Sequence, residues 1–338
     1  MLLPDEKKNW SIRAALAAPR LIRRRQIDWI FTSGPPFSVH LIGVVARMFT
    51  GVRWVADFRD PWIDMLPDRF VHTRSRLSDA LERRMEALVA RWADRVVTTT
   101  ERMRDAMAVR YPHLPADRFV CIPNSIDMDR LQPDHQVESL ARLTITYAGT
   151  LYFDRTPEPL FQAVSQLIES GRGSSDDIRI VLLGHCQRIN DVETEVVARR
   201  YGLQDVVQVI DRVPYPEAVR WMQRSHLLLV LAPERHRLVV PAKIYDYLGT
   251  GSVVLALAEP GATADLMQET QCGRCFSHTD IAGIREYLAW LLEGRRYRTL
   301  RNQPELFSRY DARVLTARLV SEMARVEAGA HREVMVGT

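Results

Sequence analysis

The sequence predicts an α/β protein of two doubly wound, parallel-sheet domains joined by a polar linker. Three observations predict it. Short apolar runs of strand length alternate with longer amphipathic runs, the pattern of strands returned by helices. That alternation breaks once, at "DMDRLQPDHQVESLAR" (127–142), which is polar, holds Pro133 and lacks sustained periodicity. A second full set of strand–helix units then begins, in a chain of 338 residues with 46% hydrophobic content, enough for two cores.

In the first half, "IDWIFTS" (27–33) reads as a strand, and the segment after "GPPFS" up to Phe49 as a helix. The two prolines set the turn between them, and Ser38 stands where it could cap the helix. "RWVADF" (53–58) is the second strand. A charged helix over about 74–93 follows, with Leu77, Leu81, Met85, Leu88 and Val89 spaced for one face. "DRVVTTT" (94–100) is the third strand, a helix covers 102–110, and "RFVCIPNSID" holds a fourth strand. In the second half the strands are "LTITYAG", "IRIVLLG", "VVQVID", "HLLLVLA" and "SVVLALA". Helices at 157–169, 190–201, 216–223 and 241–248 separate them, and helices at 262–268, 279–293 and 304–327 close the chain. The domains are therefore expected at 1–128 and 143–310, with a linker over 129–142 and a helix over 311–330 packing back on the first domain. In such sheets a ligand sits at the strand C-termini.

Charge is uneven. Residues 1–130 hold 22 Lys and Arg against 16 Asp and Glu, and residues 131–338 hold 24 against 26. A basic first half favours anionic surfaces, and "RLIRRR" (20–25) with its apolar neighbours suits the inner face of a membrane. The competing reading of that cluster is a solvated helix face. No apolar run reaches the ~18 residues that span a bilayer. The start "MLLPDEKKNW" carries charges where a secretory signal needs its apolar segment, so a cytoplasmic chain is expected. Cys121, Cys186, Cys272 and Cys275 form no disulfide framework, and "QCGRC" lacks the second pair a closed zinc site needs, so it reads as ordinary loop or strand.

GxGxxG after a strand, Walker A, HExxH and GxSxG are all missing from the sequence, which removes the main support for nicotinamide, P-loop, zincin and hydrolase-elbow chemistry. Two segments can instead hold a diphosphate. In "YAGTLYFDRTPEPL", Gly149 and Thr150 end a strand and Arg155 precedes a helix start. There the backbone can approach an anion closely and a guanidinium can fork onto its oxygens; the competing reading is a plain strand-to-helix turn with a surface arginine. In "VVPAKIYDYLGTG", Pro241 suits a first helical turn, and Lys243 and Asp246 share a face at i, i+3. The lysine could meet a phosphate and the carboxylate two ribose hydroxyls; the competing reading is a local Lys–Asp ion pair. In the first domain, His40 falls in the first turns of a helix, either facing a ligand or packed inside. Asp57 and Asp60 of "DFRDPW" could bind or deprotonate an acceptor hydroxyl, or belong with Arg59 to a network fixing the loop.

"PAKIYDYLGTGSVVLAL", the "GTL" turn, "VIDRVPYPEAVRWMQRSHLLLVL" and "IPNSIDMDRL" together resemble family 4 of the glycosyltransferases, and "TSGPPFSVHLIG" with "VADFRDPW" resembles the first domain of its bacterial polysaccharide-synthesis members. The likeness runs from about 28 to 325. It implies the GT-B fold, two Rossmann-like domains facing a cleft. It also implies retaining, metal-independent transfer from a nucleotide sugar to a glycan or lipid-linked acceptor at the inner membrane surface, with no cofactor. Carried over by position, Asp246 would hold the ribose, Lys243 and Arg155 the diphosphate, and Val213 and Pro214 the base, with Gly184 lining the pocket. Two departures stand out. Leu238 occupies the place of the family's first glutamate, and Asp246 replaces the longer second one. The first domain is also expected to be incomplete, because Met1 falls near its middle in the family pattern, leaving a bare sheet edge. A non-hydrolysing sugar-nucleotide epimerase and a non-catalytic truncated homologue are the competing functions.

Overall fold

Two parallel sheets organise the chain, each wrapped by the helices that connect its strands. The structure, a computed structural model, describes residues 4–64, 75–131, 140–151 and 155–336. Residues 132–139 of the expected linker lie outside the described residues. The chain divides into one unit of Met1–Pro123 with Leu315–Thr338 and another of Asn124–Val314.

The first unit runs α1 (Lys8–Arg25), β1 (Trp29–Gly34), α2 (Ser38–Thr50), β2 (Arg53–Phe58), α3 (Arg76–Trp92), β3 (Arg95–Thr98), α4 (Glu101–Arg110) and β4 (Phe119–Cys121). Its strands lie in the order β1-β2-β3-β4, all parallel. Both faces are covered, which is why β2 can be buried almost throughout. Among the described residues β1 forms an open edge, and Phe31 on it is 51% exposed. Helix starts follow local chemistry in α3 and α4. The Ser75 hydroxyl accepts from the Ser78 N–H, and the Thr100 hydroxyl from the Met103 N–H. Ser38 does not cap α2: it is the first helical residue, and the Asp5 carboxylate accepts from both its N–H and its hydroxyl.

The face of α3 is also not the expected one. Leu77, Leu81 and Leu88 are exposed, while Ser78, Glu82, Glu86, Val89 and Ala90 point inward. Two glutamates survive at 1% exposure because each has partners. The Trp62 indole donates to Glu82 at 2.7 Å. Arg110, the Tyr111 hydroxyl and the Ile63 N–H donate to Glu86 at 2.8, 2.7 and 3.2 Å. Arg110 also reaches Asp64, so this network ties the segment after β2 to α3 and α4.

The second unit runs β5 (Leu143–Thr150), α5 (Glu158–Glu169), β6 (Ile178–His185), a hairpin of β7 (Arg188–Ile189) and β8 (Val192–Glu193), α6 (Thr194–Arg200), β9 (Val207–Ile210), α7 (Tyr215–Arg224), β10 (Leu227–Ala232), α8 (Lys243–Gly249), β11 (Val253–Ala258), α9 (Ala262–Thr270), β12 (Gly273–Phe276) and α10 (Ile281–Leu292). The expected helix over 190–201 is shorter because Asn190 and Asp191, both at positive φ, turn the hairpin first. Sheet order is β12-β11-β10-β5-β6-β9. The chain moves outward from β5 through β6 to β9, then returns to the other side of β5 and moves outward again. The C-terminal end of β5 is thus the switch point at which open α/β sheets leave a crevice. "QCGRC" supplies β12, and its thiols, like the other two, are free.

The last expected helix is divided. A 3₁₀ segment covers Pro304–Tyr310, and α11 (Ala312–Val336) follows. Backbone pairing makes the break: the Ile126 N–H donates to Tyr310 O, and the Ala312 N–H to Ile126 O. From Leu315 onward α11 belongs to the first unit, where Leu315, Leu319 and Met323 pack with Val55, Val97 and Ile122.

Candidate active site

A cavity of about 370 Å³ opens at the β5 switch point. Its floor is the paired ends of β5 and β6, where Gly149 stands in register with Gly184. Both are at positive φ, +144° and +116°. A Cβ on Gly184 would lie 2.3 Å from the Gly149 carbonyl oxygen, and one on Gly149 would lie 2.6 Å from Lys243 Nζ. Backbone there is bare because a lysine ammonium has come down onto it.

Helix α8 delivers that ammonium. Pro241 does not itself begin the helix; the Ile244 N–H donates back to its carbonyl, so the entry is a tight turn and Lys243 is the first helical residue. Tyr247 anchors the helix by accepting from the Ala148 N–H at 3.0 Å. Lys243 Nζ sits 3.5 Å from the centre of the buried Tyr147 ring, sealed from solvent and with no hydrogen-bond partner among the described residues. Burial, then the positive charge of Arg155, push its pKa down to about 7. Lys243 and Arg155 are therefore electrostatic neighbours, and the lysine makes no ion pair with Asp246.

Asp246, one turn on, lines the same cavity and accepts from the Tyr215 hydroxyl at 3.4 Å. Burial raises its carboxyl above the usual range. Thr150 and Val213 also line the cavity, with Leu183, Ala218 and Met222 as an apolar wall. Pro214 does not line it; it caps α7 and so orients Tyr215. The structure thus gathers Gly149, Thr150, Gly184, Val213, Lys243 and Asp246 at one place, with Arg155 beside Lys243. His185, Arg212 and Tyr215, with Ala148 and Tyr247, complete the lining without having been singled out by sequence. Each directly follows or precedes Gly149, Gly184, Val213, Pro214 or Asp246 in the chain, but adjacency alone does not say which way a side chain faces.

The first-unit candidates are placed differently. His40 is 0% exposed, stacked on Phe58 with ring centres 4.5 Å apart, and beside Phe37. The Trp54 indole donates to Thr32 Oγ1, which lies 2.9 Å from His40 Nδ1. Burial pulls its pKa down to about 3, so His40 is a neutral side chain packed among aromatic rings. Asp57 is buried with both oxygens used, one accepting from Ser33 at 2.7 Å and the other from Arg59 at 3.2 Å. That is the loop-fixing network rather than a free base. Asp60 is half-buried. Leu238, in the short turn before α8, brings no acid to the cavity.

Residues 2–130 match the family described as Glycosyltransferase Family 4. No curated protein matches the chain by sequence. Among solved structures, a sucrose-phosphate synthase from Thermosynechococcus elongatus is similar at 14% identity, covering 97% of this chain and 81% of its own, with a TM-score of 0.72. A glycosyltransferase from Rickettsia africae gives 11%, 96%, 84% and 0.69. HepE of Anabaena, in complex with UDP-glucose, gives 14%, 92%, 82% and 0.68. At such identities the likeness is one of fold. Residues 2–130 thus match Glycosyltransferase Family 4, and the fold of the chain is that of the GT-B glycosyltransferases.

Proposed function

We propose that the cavity holds the nucleoside diphosphate of a nucleotide sugar. The chain then passes the sugar to a glycan or lipid-linked acceptor in cell-surface polysaccharide synthesis, with anomeric configuration kept and no metal ion or cofactor. The observation that carries this reading is the buried Lys243 ammonium, lacking an acceptor among the described residues, at the glycine floor of the cavity. Burying a cation without an anion is costly, and a diphosphate would offset that cost. As the glycosidic bond breaks, Lys243 and Arg155 would stabilise the leaving diphosphate, the charge a metal supplies elsewhere. Among the described residues no group of three His, Cys, Asp or Glu side chains is placed to hold a metal ion. HepE, which shares the fold, binds UDP-glucose.

The test is transfer from a panel of nucleotide sugars. Arg155→Ala is expected to lower kcat/KM for the donor about thirtyfold, the scale of a lost charge-assisted contact. Donor turnover within a few-fold of the unaltered protein would remove the assignment.

Support for a lipid-linked acceptor comes from α1. It carries Lys8, Arg13, Arg20, Arg23, Arg24 and Arg25 with no acid, and Trp10, Ile12, Leu16 and Leu21 are exposed beside them. That combination suits an anionic lipid surface. No described helix is long and apolar enough to cross a membrane. Replacing Arg20 and Arg24 together by alanine is expected to weaken binding to phosphatidylglycerol vesicles about thirtyfold, at roughly 1 kcal/mol per basic residue. Sedimentation with vesicles measures it, and unchanged partitioning would remove the membrane from the reading.

A further inference from the structure

The carboxylate of Asp246 is one methylene shorter than a glutamate at the same place, yet it lines the cavity on a helix that cannot slide. Tyr247 pins α8 to the end of β5 through Ala148. What reaches Asp246 comes from another element. Tyr215 opens α7 immediately after the Pro214 cap, lines the same cavity, and donates its hydroxyl to Asp246 Oδ1 at 3.4 Å. Lys243, on the same helix, is occupied by the Tyr147 ring and the glycine floor, so it does not hold the carboxylate.

We propose that Tyr215 and Asp246 act as one ribose-reading unit, in which the phenol holds the carboxylate in the rotamer that accepts from both ribose hydroxyls. Tyr215 is then a positioning residue that sets the preference for ribonucleotide over 2′-deoxyribonucleotide donors. The inference rests on the nucleotide-sugar reading of the cavity.

The chemistry is a matter of counting donors and acceptors. An ionised carboxylate has about four acceptor sites on two oxygens. One taken by the phenol leaves Oδ2 and the remaining lone pair of Oδ1 for a vicinal diol. Without the phenol, the half-buried carboxylate loses a donor and its rotamer is set by the diol alone. A 2′-deoxyribose satisfies only half of the unit, and a site built around a hydroxyl rejects the analogue lacking it. Asp127 adds negative charge near both side chains, offset beside Tyr215 by Arg130, which pairs with Asp127 at 3.1 Å. Tyr215 is 44% exposed, so removing its hydroxyl leaves the core untouched.

The experiment is calorimetric titration of the full chain with ribonucleoside diphosphates and their 2′-deoxy counterparts. The unaltered protein is expected to prefer the ribo form about tenfold or more. Tyr215→Phe is expected to cut that preference to about twofold by weakening only the ribo form, and Asp246→Asn to abolish it. A Tyr215→Phe protein with the same preference, or with both ligands weakened equally, overturns the proposal. If no nucleoside diphosphate of any base binds the unaltered protein, the nucleotide reading itself falls and takes this inference with it. If the unaltered protein binds both sugars equally, only the ribose-reading unit falls.

Discussion

Lys243→Ala is expected to lower kcat/KM for the nucleotide-sugar donor about a thousandfold while the protein stays folded. The ammonium is buried against Tyr147 and the Gly149 backbone, and among the described residues nothing accepts its protons. Its contribution is therefore realised only when an anion arrives, and increases as the leaving diphosphate gains charge. The same feature gives the site a pH signature. Lys243 titrates near 7 in the folded protein, against 10.5 for an ordinary lysine, because of burial first and the Arg155 charge second. Between those values the unfolded chain holds a proton that the folded chain has released, so stability rises with pH across that window. The penalty is greatest below pH 7 and fades as pH approaches 10.5. Lys243→Met should remove this slope, measured as urea midpoints at both ends of the window.

Ligand affinity runs the other way. A diphosphate favours the charged ammonium, so its binding draws a proton in once the pH exceeds about 7. The dissociation constant of a nucleotide sugar is expected to rise with pH, approaching tenfold per unit. Lys243→Arg, charged throughout, should flatten that profile. A profile already flat in the unaltered protein would show that no ammonium charges on binding, and the thousandfold loss would then need another cause.

The positions of these groups were legible in the sequence to different depths. Strand–helix alternation gave the sheets because burial on both faces makes parallel strands read as unbroken apolar runs, as in "HLLLVLA" and "SVVLALA". Gly149 stood out at a strand end, where close backbone approach favours glycine, and Lys243 and Asp246 as an i, i+3 pair in a first helical turn, while Gly184 came only through the family resemblance. Tyr215, His185 and Arg212 were not, since nothing in an aromatic or basic residue beside a turn says which way it faces. The α3 face was misread for a related reason. Periodicity ranks leucine above glutamate for burial, and it cannot know that Trp62, Arg110 and Tyr111 arrive from elsewhere to satisfy Glu82 and Glu86. His40 shows the converse: a polar residue near a loop was a candidate ligand, and the aromatic side chains of Phe37 and Phe58 made it core.

Gly184→Ala is expected to destabilise the second unit by about 3 kcal/mol, from a positive-φ penalty of about 1–2 and a packing penalty of similar size. The methyl would stand 2.3 Å from the Gly149 carbonyl oxygen, which is backbone and cannot swing aside. Relief requires β5 and β6 to part at their last paired residues, Gly149 with Gly184 and Thr150 with His185. Those residues are the floor of the cavity, so the melting temperature, expected to fall by about 10 °C, should drop together with nucleotide affinity. Gly171→Ala is the control. It also sits at positive φ, yet its Cβ meets nothing within 4 Å, so it carries the conformational penalty without the collision and leaves the cavity intact. Should both substitutions shift melting equally and leave binding alone, the close approach of the two strands would not be what shapes the site.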